Sequence, residues 1–265
     1  MTLAPDPVLL DISPGGVAVV LLNRHAKRNA FDELMIAGLS DCFETLRGAD
    51  HVRIVFLRGQ GGVFSAGADL DWMRRQGERT THDNEEDALT LARMLKALHD
   101  LPQFTVALVD GLAMGGGAGL VAAADYAVAT ERAQFRFSEV RLGLTPATIG
   151  PYVIEAVGPR HARALFASAL PFDAAAAQRY GLVHEVVADE SALEDAMKRL
   201  AGLAFENAPG AVADAKALAR DFAGVPLDDR LARESAKRIA ARRASDEGRE
   251  GVAAFLERRK PSWDT

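Results

Sequence analysis

Cysteine is almost missing: Cys42 is the only one in 265 residues. One thiol excludes an intramolecular disulfide and a zinc site built on several thiolates. It fits a reducing compartment. A long apolar run is also missing. The best candidate, VALVDGLAMGGGAGLVAAAD (106–125), is broken by Asp110 and five glycines. No span of about 20 apolar residues is available for a membrane. There is no basic excess, since the net charge is −6. That argues against a protein built to hold nucleic acid, but leaves room for a local basic patch facing one phosphorylated ligand. The N-terminal MTLAPDPVLLDISPGG lacks a basic region and carries Asp6 and Asp11, so no signal peptide is expected. A cytoplasmic location is the expectation. The histidines at 25, 51, 82, 99, 161 and 184 show no ligand spacing and HExxH is absent, so no metal site is expected. The nucleophile elbow GxSxG is absent too: Val63 and Phe64 precede Ser65.

Hydrophobic residues make up 49% and charged residues 26%, the balance of a folded globular chain. VAVVLL (17–22), VRIVFLRG (52–59) and FTVALV (104–109) read as strands. Between them, 31–48 and 84–100 carry apolar residues at helical spacing: Leu34, Ile36, Leu39, Phe43 and Leu46 in the first, Leu91, Met94, Leu95 and Leu98 in the second. Continuous apolar strands separated by helices predict parallel pairing with both faces covered. From about Asp189 onward the patterns are helical: 189–206, 209–222, 227–244 and 246–258. Basic residues there, such as Arg238, Arg242 and Arg259, interleave with acids and read as a solvated or subunit-packing face.

Three segments could carry chemistry. In AMGGGAGLVAAAD (113–125), Gly117 to Ala122 matches GxGxxA and Glu139 lies about 20 residues on, as in a dinucleotide fingerprint. Seven residues, Asp110 to Gly116, separate it from the preceding strand, so that context fails. Glycines at a helix start instead let a ligand oxygen reach unpaired N–H groups. The segment alone reads equally as tight packing. In RGQGGVFSAGADLDWM (58–73), small residues likewise run from a strand toward a helix start at Ala68-Asp69. Two such elements could aim two N–H donors at one carbonyl oxygen. In AQFRFSEVRLGLTPATIGP (133–151), Glu139 follows a short strand, Phe135 to Phe137, in apolar surroundings. Desolvation there would raise its pKa toward the range of proton transfer. An ordinary surface glutamate at a turn is the competing reading.

The three segments, in this order, resemble the enoyl-CoA hydratase/isomerase (crotonase) family. LNRHAKRNAFDELM (22–35), FSAGADL (64–70), DGLAMGGGAGLVAAADYAVA (110–129), FSEVRLGLTPA (137–147), FDAAAAQRYGLVHEVV (172–187) and EGREGVAAFLERRKPSW (247–263) carry the likeness, over nearly the whole chain. It implies an α/β spiral of repeated ββα units with a C-terminal helical trimerisation region, divided as a catalytic core (1–195) and an oligomerisation region (196–265). It implies an acyl-CoA substrate, coenzyme A as its carrier, no prosthetic group, and a homotrimer or a homohexamer made of two trimers. The backbone N–H groups of Ala68 and Gly116 match the oxyanion donors. Ser65 and Ala66 match the stretch whose backbone approaches the adenine. Arg24, Lys27 and Arg28 match the basic element near the CoA phosphates, and Lys260 a tail lysine that reaches CoA across a subunit boundary.

One departure matters. The family's hydratases carry two glutamates; the later matches Glu139 and the earlier falls at Gly119. Mechanism then rests on one carboxylate, which a hydratase or a Δ3,Δ2-enoyl-CoA isomerase could use, and which a non-catalytic acyl-CoA-binding member would not need. Gly119 would open side-chain volume for a branched or carboxylated acyl group, Trp72 would line the pocket, and Arg141 would pair with the carboxylate. FSAGADLDWM and SEVRLGLTPATIGPYV are most similar to bacterial hydratases for methylglutaconyl-CoA or isohexenylglutaconyl-CoA, esters of leucine or acyclic-terpene breakdown.

Overall fold

The computed structural model describes residues 6–264. The first five residues of the segment in which no signal peptide is expected lie outside them. In chain order come β1 (Val8–Ile12), β2 (Val17–Leu22), α1 (Glu33–Arg47), β3 (Ile54–Gly59), α2 (Leu70–Gly77), α3 (Thr81–His99), β4 (Phe104–Val109), β5 (Leu112–Met114) and α4 (Gly116–Ala123). Then follow β6 (Tyr126–Thr130), β7 (Gln134–Arg136), α5 (Gly150–Ser168), β8 (Phe172–Asp173), α6 (Ala174–Tyr180), β9 (Glu185–Val187), α7 (Glu190–Glu206), α8 (Pro209–Phe222), α9 (Asp229–Ala244) and α10 (Asp246–Glu257).

The strands form two sheets. The larger has the order β1-β2-β3-β4-β6-β9, antiparallel only at β1-β2 and parallel elsewhere. The smaller has the order β5-β7-β8. From β4 onward the chain lays one strand in the large sheet, one in the small sheet, then a helix, and repeats. This is the expected ββα spiral. The large sheet is covered on both faces. Val55 and Leu57 of β3 join the main core with α1, α3 and α4, while Ile54 and Phe56 turn to the other face and pack with Leu193, Ala196 and Leu200 of α7. Alternation with both faces dry explains why β3 and β4 read as unbroken apolar runs. On α1, Leu34 is exposed; Met35 takes the core position beside Ile36 and Leu39. Cys42 is buried there, and burial, aided by the Asp41 charge, pushes its thiol up to about 11. It is a core thiol and no nucleophile at neutral pH.

The expected boundary between 195 and 196 falls inside α7. Leu193 on one side and Leu200 on the other enter the same apolar layer, so α7 belongs to the core. The outer helical region begins at α8. Its Lys216 ammonium is tied to Asp125 Oδ2 at 2.6 Å and donates to the carbonyls of Leu101 and Gln103. Glu247 of α10 accepts from the Gly210 and Ala211 N–H groups at the start of α8, where the helix end favours an anion. Three of the tail arginines are paired: Arg238 with Asp221 and Glu234, Arg242 with Asp214 and Glu247, Arg259 with Glu250 and Glu257. Among the described residues no helix is long and apolar enough to cross a membrane.

Lys216→Met should lower stability by about 2–4 kcal/mol, because it leaves Asp125 and two carbonyls without their cation. The urea midpoint should fall at unchanged slope. An unchanged midpoint would mean that α8 docks without this tie.

Candidate active site

The site is built where three short backbone segments run side by side. Ser65 forms an isolated parallel bridge with Ala113 of β5: its N–H donates to Leu112 O at 2.9 Å and its carbonyl accepts from Met114 N–H at 2.9 Å. On the other edge, β5 pairs in parallel with β7, Met114 opposite Arg136, and the Gly115 N–H donates to Arg136 O. Three residues beyond the Ser65–Ala113 bridge lie Ala68, which itself bridges Phe31, and Gly116, which opens α4. The same advance from Phe135 of β7 reaches Ser138, the residue before Glu139. One register therefore delivers all three segments to one end of the small sheet.

At that end the chains touch. Gly115 has φ +47°, and a Cβ there would sit 3.1 Å from Glu139 Oε1. Gly67 has φ +84°, and a Cβ there would meet Met114 O at 2.9 Å. Side chains at either position would push the segments apart. The Phe31 ring lies against Gly116, and its backbone clasps the other loop: Phe31 N–H donates to Gly67 O, and Asp69 N–H to Phe31 O. Among the described residues neither the Ala68 N–H nor the Gly116 N–H has an acceptor. Gly116 opens α4 and Ala68 precedes α2, so both sit at helix starts with positive partial charge.

Ala68, Gly116 and Glu139 line one cavity of about 720 Å³, together with Trp72, Met73 and Gln76 of α2, Leu91 of α3, and Pro146 and Ile149 before α5. Leu142 and Leu144 line it while largely exposed, so they stand at its mouth. Glu139 opens a 3-10 turn (Glu139–Leu142). Its Oε2 is covered and has no partner among the described residues. Burial raises its pKa above the ordinary glutamate value, and hydrogen bonds from the Glu139 and Ser138 N–H groups only partly offset this. A dry carboxyl beside two free N–H donors can move a proton next to a carbonyl whose oxygen the donors hold.

Other expected site residues lie differently. Gly119 opens no volume: a Cβ there would be 2.4 Å from Ile149 Cγ2, so Ile149 fills the space and Gly119 does not reach the cavity. Arg141 is exposed on the outer side of the 3-10 turn and does not line the cavity. Ser65 is fully buried with both backbone groups bonded to β5, so it has none to offer an adenine. Ala66 does line the cavity; its N–H is held by Arg28 O. Arg24 is engaged internally. Its guanidinium bridges Asp32 at 2.9 Å and Asp69 at 3.0 Å and donates to Ala30 O. Those aspartates cap α1 and α2. Arg24 thus positions the two helix starts. Burial alone would raise the Asp69 pKa; the Trp72 and Asp71 N–H groups and Arg24 outweigh it and hold the carboxyl below its ordinary value. Lys27 is exposed in a pair with Asp71, Arg28 is exposed with φ +52°, and Lys260 is exposed in a pair with Asp264, away from the cavity lining of its own chain. Phe31, Gln76 and Ile149 were not among the expected residues. The four-residue spacing of Trp72 and Gln76 was the available signal for Gln76.

A family model described as enoyl-CoA hydratase/isomerase matches residues 13–265. The crystal structure of an enoyl-CoA hydratase from Shewanella pealeana superposes with a TM-score of 0.93 at 38% identity, covering 97% of this chain and 96% of that one. The solved structure of Pseudomonas aeruginosa AtuE gives a TM-score of 0.93 at 35% identity, covering 98% of this chain and all of that one. The 2,3-dehydroadipyl-CoA hydratase of Escherichia coli is 30% identical over 248 residues, 93% of this chain and 94% of its own length.

Glutamate-labelled protein followed by carboxyl 13C NMR should show one resonance titrating above the ordinary glutamate range and missing from Glu139→Gln. Titration of that resonance at about 4.3 would contradict the desolvated environment.

Proposed function

The chain belongs to the enoyl-CoA hydratase/isomerase family, and on that premise we propose that it adds water across the 2,3-double bond of an enoyl-CoA thioester. The observation that carries the reading is the single unpartnered carboxyl oxygen of Glu139 in the cavity that the Ala68 and Gly116 N–H groups share. The thioester oxygen accepts from both N–H groups, which favours the enolate that forms when C3 is attacked. Glu139 takes a proton from water as its oxygen bonds to C3. The same carboxyl then returns the proton to C2, giving the 3-hydroxyacyl thioester. Coenzyme A is the carrier of the substrate, and no prosthetic group is needed. Lys27 and Arg28, exposed beside the Ala66 loop, are the candidates for its phosphates. A homotrimer or homohexamer is in keeping with the apolar side chains that α10 presents outward, Phe255 at 83% exposure among them. Lys260 would then reach CoA bound by a neighbour. A cytoplasmic site of action is in keeping with the single cysteine.

The finer reading is a branched glutaconyl-type ester, methylglutaconyl-CoA or isohexenylglutaconyl-CoA. It is supported by the likeness in FSAGADLDWM and SEVRLGLTPATIGPYV, and by the relative named for a dehydroadipyl ester. Gly119 and Arg141 no longer support it. The second reading is Δ3,Δ2-isomerisation, favoured by glycine at position 119, since one carboxylate suffices to move a proton between C4 and C2.

Hydration of 2-enoyl-CoA to a 3-hydroxyacyl product is expected, and Glu139→Gln should lower kcat by about 10²–10⁴ with acyl-CoA binding retained. Formation of 2-enoyl from 3-enoyl esters without a hydroxyacyl product would assign isomerisation. Turnover of neither would leave a binding protein. Because Glu139 acts ionised, kcat/KM should fall as pH drops through its raised pKa, placing the acid limb above that of an ordinary glutamate. A limb at the ordinary position would remove Glu139 as the base.

A further inference from the structure

The Ala68 N–H, which has no acceptor among the described residues, shares a trans peptide with the Gly67 carbonyl, so the two point in opposite directions. Phe31 N–H holds that carbonyl at 2.7 Å, and Phe31 O accepts from Asp69 N–H at 2.8 Å. These two bonds make the isolated parallel bridge between Phe31 and Ala68. They turn the Ala68 N–H away from Phe31, so the backbone of Phe31 sets the direction of one donor. The side chain of Phe31 meets the other. Its ring is 1% exposed and lines the cavity. A Cβ on Gly116 would sit 3.0 Å from both Cδ2 and Cε2 of the ring. Carbons in contact stand about 3.5–4.0 Å apart, so the ring backs Gly116 without room for a methyl group. One residue therefore touches both donor segments. It is itself gripped from both sides in the chain. Arg24 Nη1 donates to Ala30 O at 3.0 Å, and Nη2 meets Asp32 Oδ2 at 2.9 Å. Nη1 also reaches Oδ2 of Asp69, the residue after Ala68, at 3.0 Å. A planar fork of donors holds three such acceptors at once, and an ammonium does not.

We infer that Phe31 is a positioning residue that sets the spacing of the Ala68 and Gly116 N–H groups, its backbone aiming the first, its ring limiting the approach of the second, and Arg24 locking both. The inference rests on the thioester reading above and deepens it. Two donors serve one oxygen only when their separation matches it. A misplacement of about 1 Å can cost about 10²-fold in rate. A residue in contact with both segments fixes that separation. A phenylalanine that only filled the core would affect stability and leave the donors uncoupled.

The test is a double-variant cycle at positions 31 and 116 of the full-length protein, read as kcat and KM on hex-2-enoyl-CoA. Gly116→Ala puts a methyl group against the ring and should lower kcat by up to about 10²-fold at nearly unchanged KM. Phe31→Leu makes room for that methyl group. The double variant should therefore recover at least about tenfold over Gly116→Ala alone, since residues in contact act non-additively. The carbonyl stretch of bound hexanoyl-CoA, labelled with 13C at C1, should follow the same order: least lowered in Gly116→Ala, more in the double variant. Arg24→Lys leaves the ring in place and should also lower kcat and weaken the shift, with KM nearly unchanged. Effects that simply multiply across the cycle would overturn the inference. So would variants that lower the urea midpoint but leave kcat and the stretch unmoved, since a packing role does only that. Should Phe31→Leu not fold, Gly116→Ala and Arg24→Lys decide: a lowered kcat and weakened shift in both support the inference, and an unmoved kcat and stretch overturn it. If the wild-type protein hydrates no ester and leaves the carbonyl unshifted, the thioester reading fails by itself. Crystal structures of the wild type, Gly116→Ala and the double variant then test the placement separately. A separation of Ala68 N from Gly116 N that changes in Gly116→Ala and returns in the double variant supports it, and one separation in all three overturns it.

Discussion

The parallel register that aligns Ser65 with Ala113, and Ala113 with Phe135, is the constraint on which the rest depends. It is made of few hydrogen bonds, yet it fixes three loop exits at once. Successive peptide groups along an extended segment point in opposite directions, so a slip of one residue would turn the Ala68 or Gly116 N–H away from the cavity. The surroundings hold the register firmly. Ser65 is fully buried, with its hydroxyl bonded to Asn29 O, and Asn29 in turn ties Gln60 and Val63. Arg24 joins the caps of α1 and α2 to the same knot. The residues nearest the donors are thus structural, and the proposed chemistry is left to backbone groups and one carboxyl.

Dryness serves both parts of that chemistry. The burial that raises the Glu139 pKa comes from the same apolar lining that surrounds the donors. In a low-dielectric setting two N–H groups at helix starts stabilise a developing oxyanion far more than they would in water. Glycine at 119 fits the same economy. Ile149 packs over it, so α4 places no second carboxylate beside Glu139.

The large sheet and the tail helices were legible in the sequence because their signals are long. β2, β3 and β4 are continuous apolar runs, and α7 to α10 repeat apolar residues at helical spacing. The strands that place the site were much less so: β5, β7 and β8 span two or three residues each, too few for a period. Residue type also says little about partners. Arg24 carries a charge suited to phosphate, but two nearby aspartates take it. Gly119 looks like free space until Ile149, thirty residues on, is seen to fill it. Ala68, Gly116, Glu139 and Trp72 meet in one cavity because the spiral returns to the same sheet edge, which no local pattern records.

Polarisation of the thioester carbonyl by the Ala68 and Gly116 N–H groups is the central claim. Isotope-edited infrared difference spectroscopy of a 2-enoyl-CoA labelled with 13C at C1, bound to Glu139→Gln to prevent turnover, reads it directly. The account predicts a carbonyl stretch clearly lower in frequency than that of the same ester in water. A bound ester with an unshifted carbonyl would contradict it.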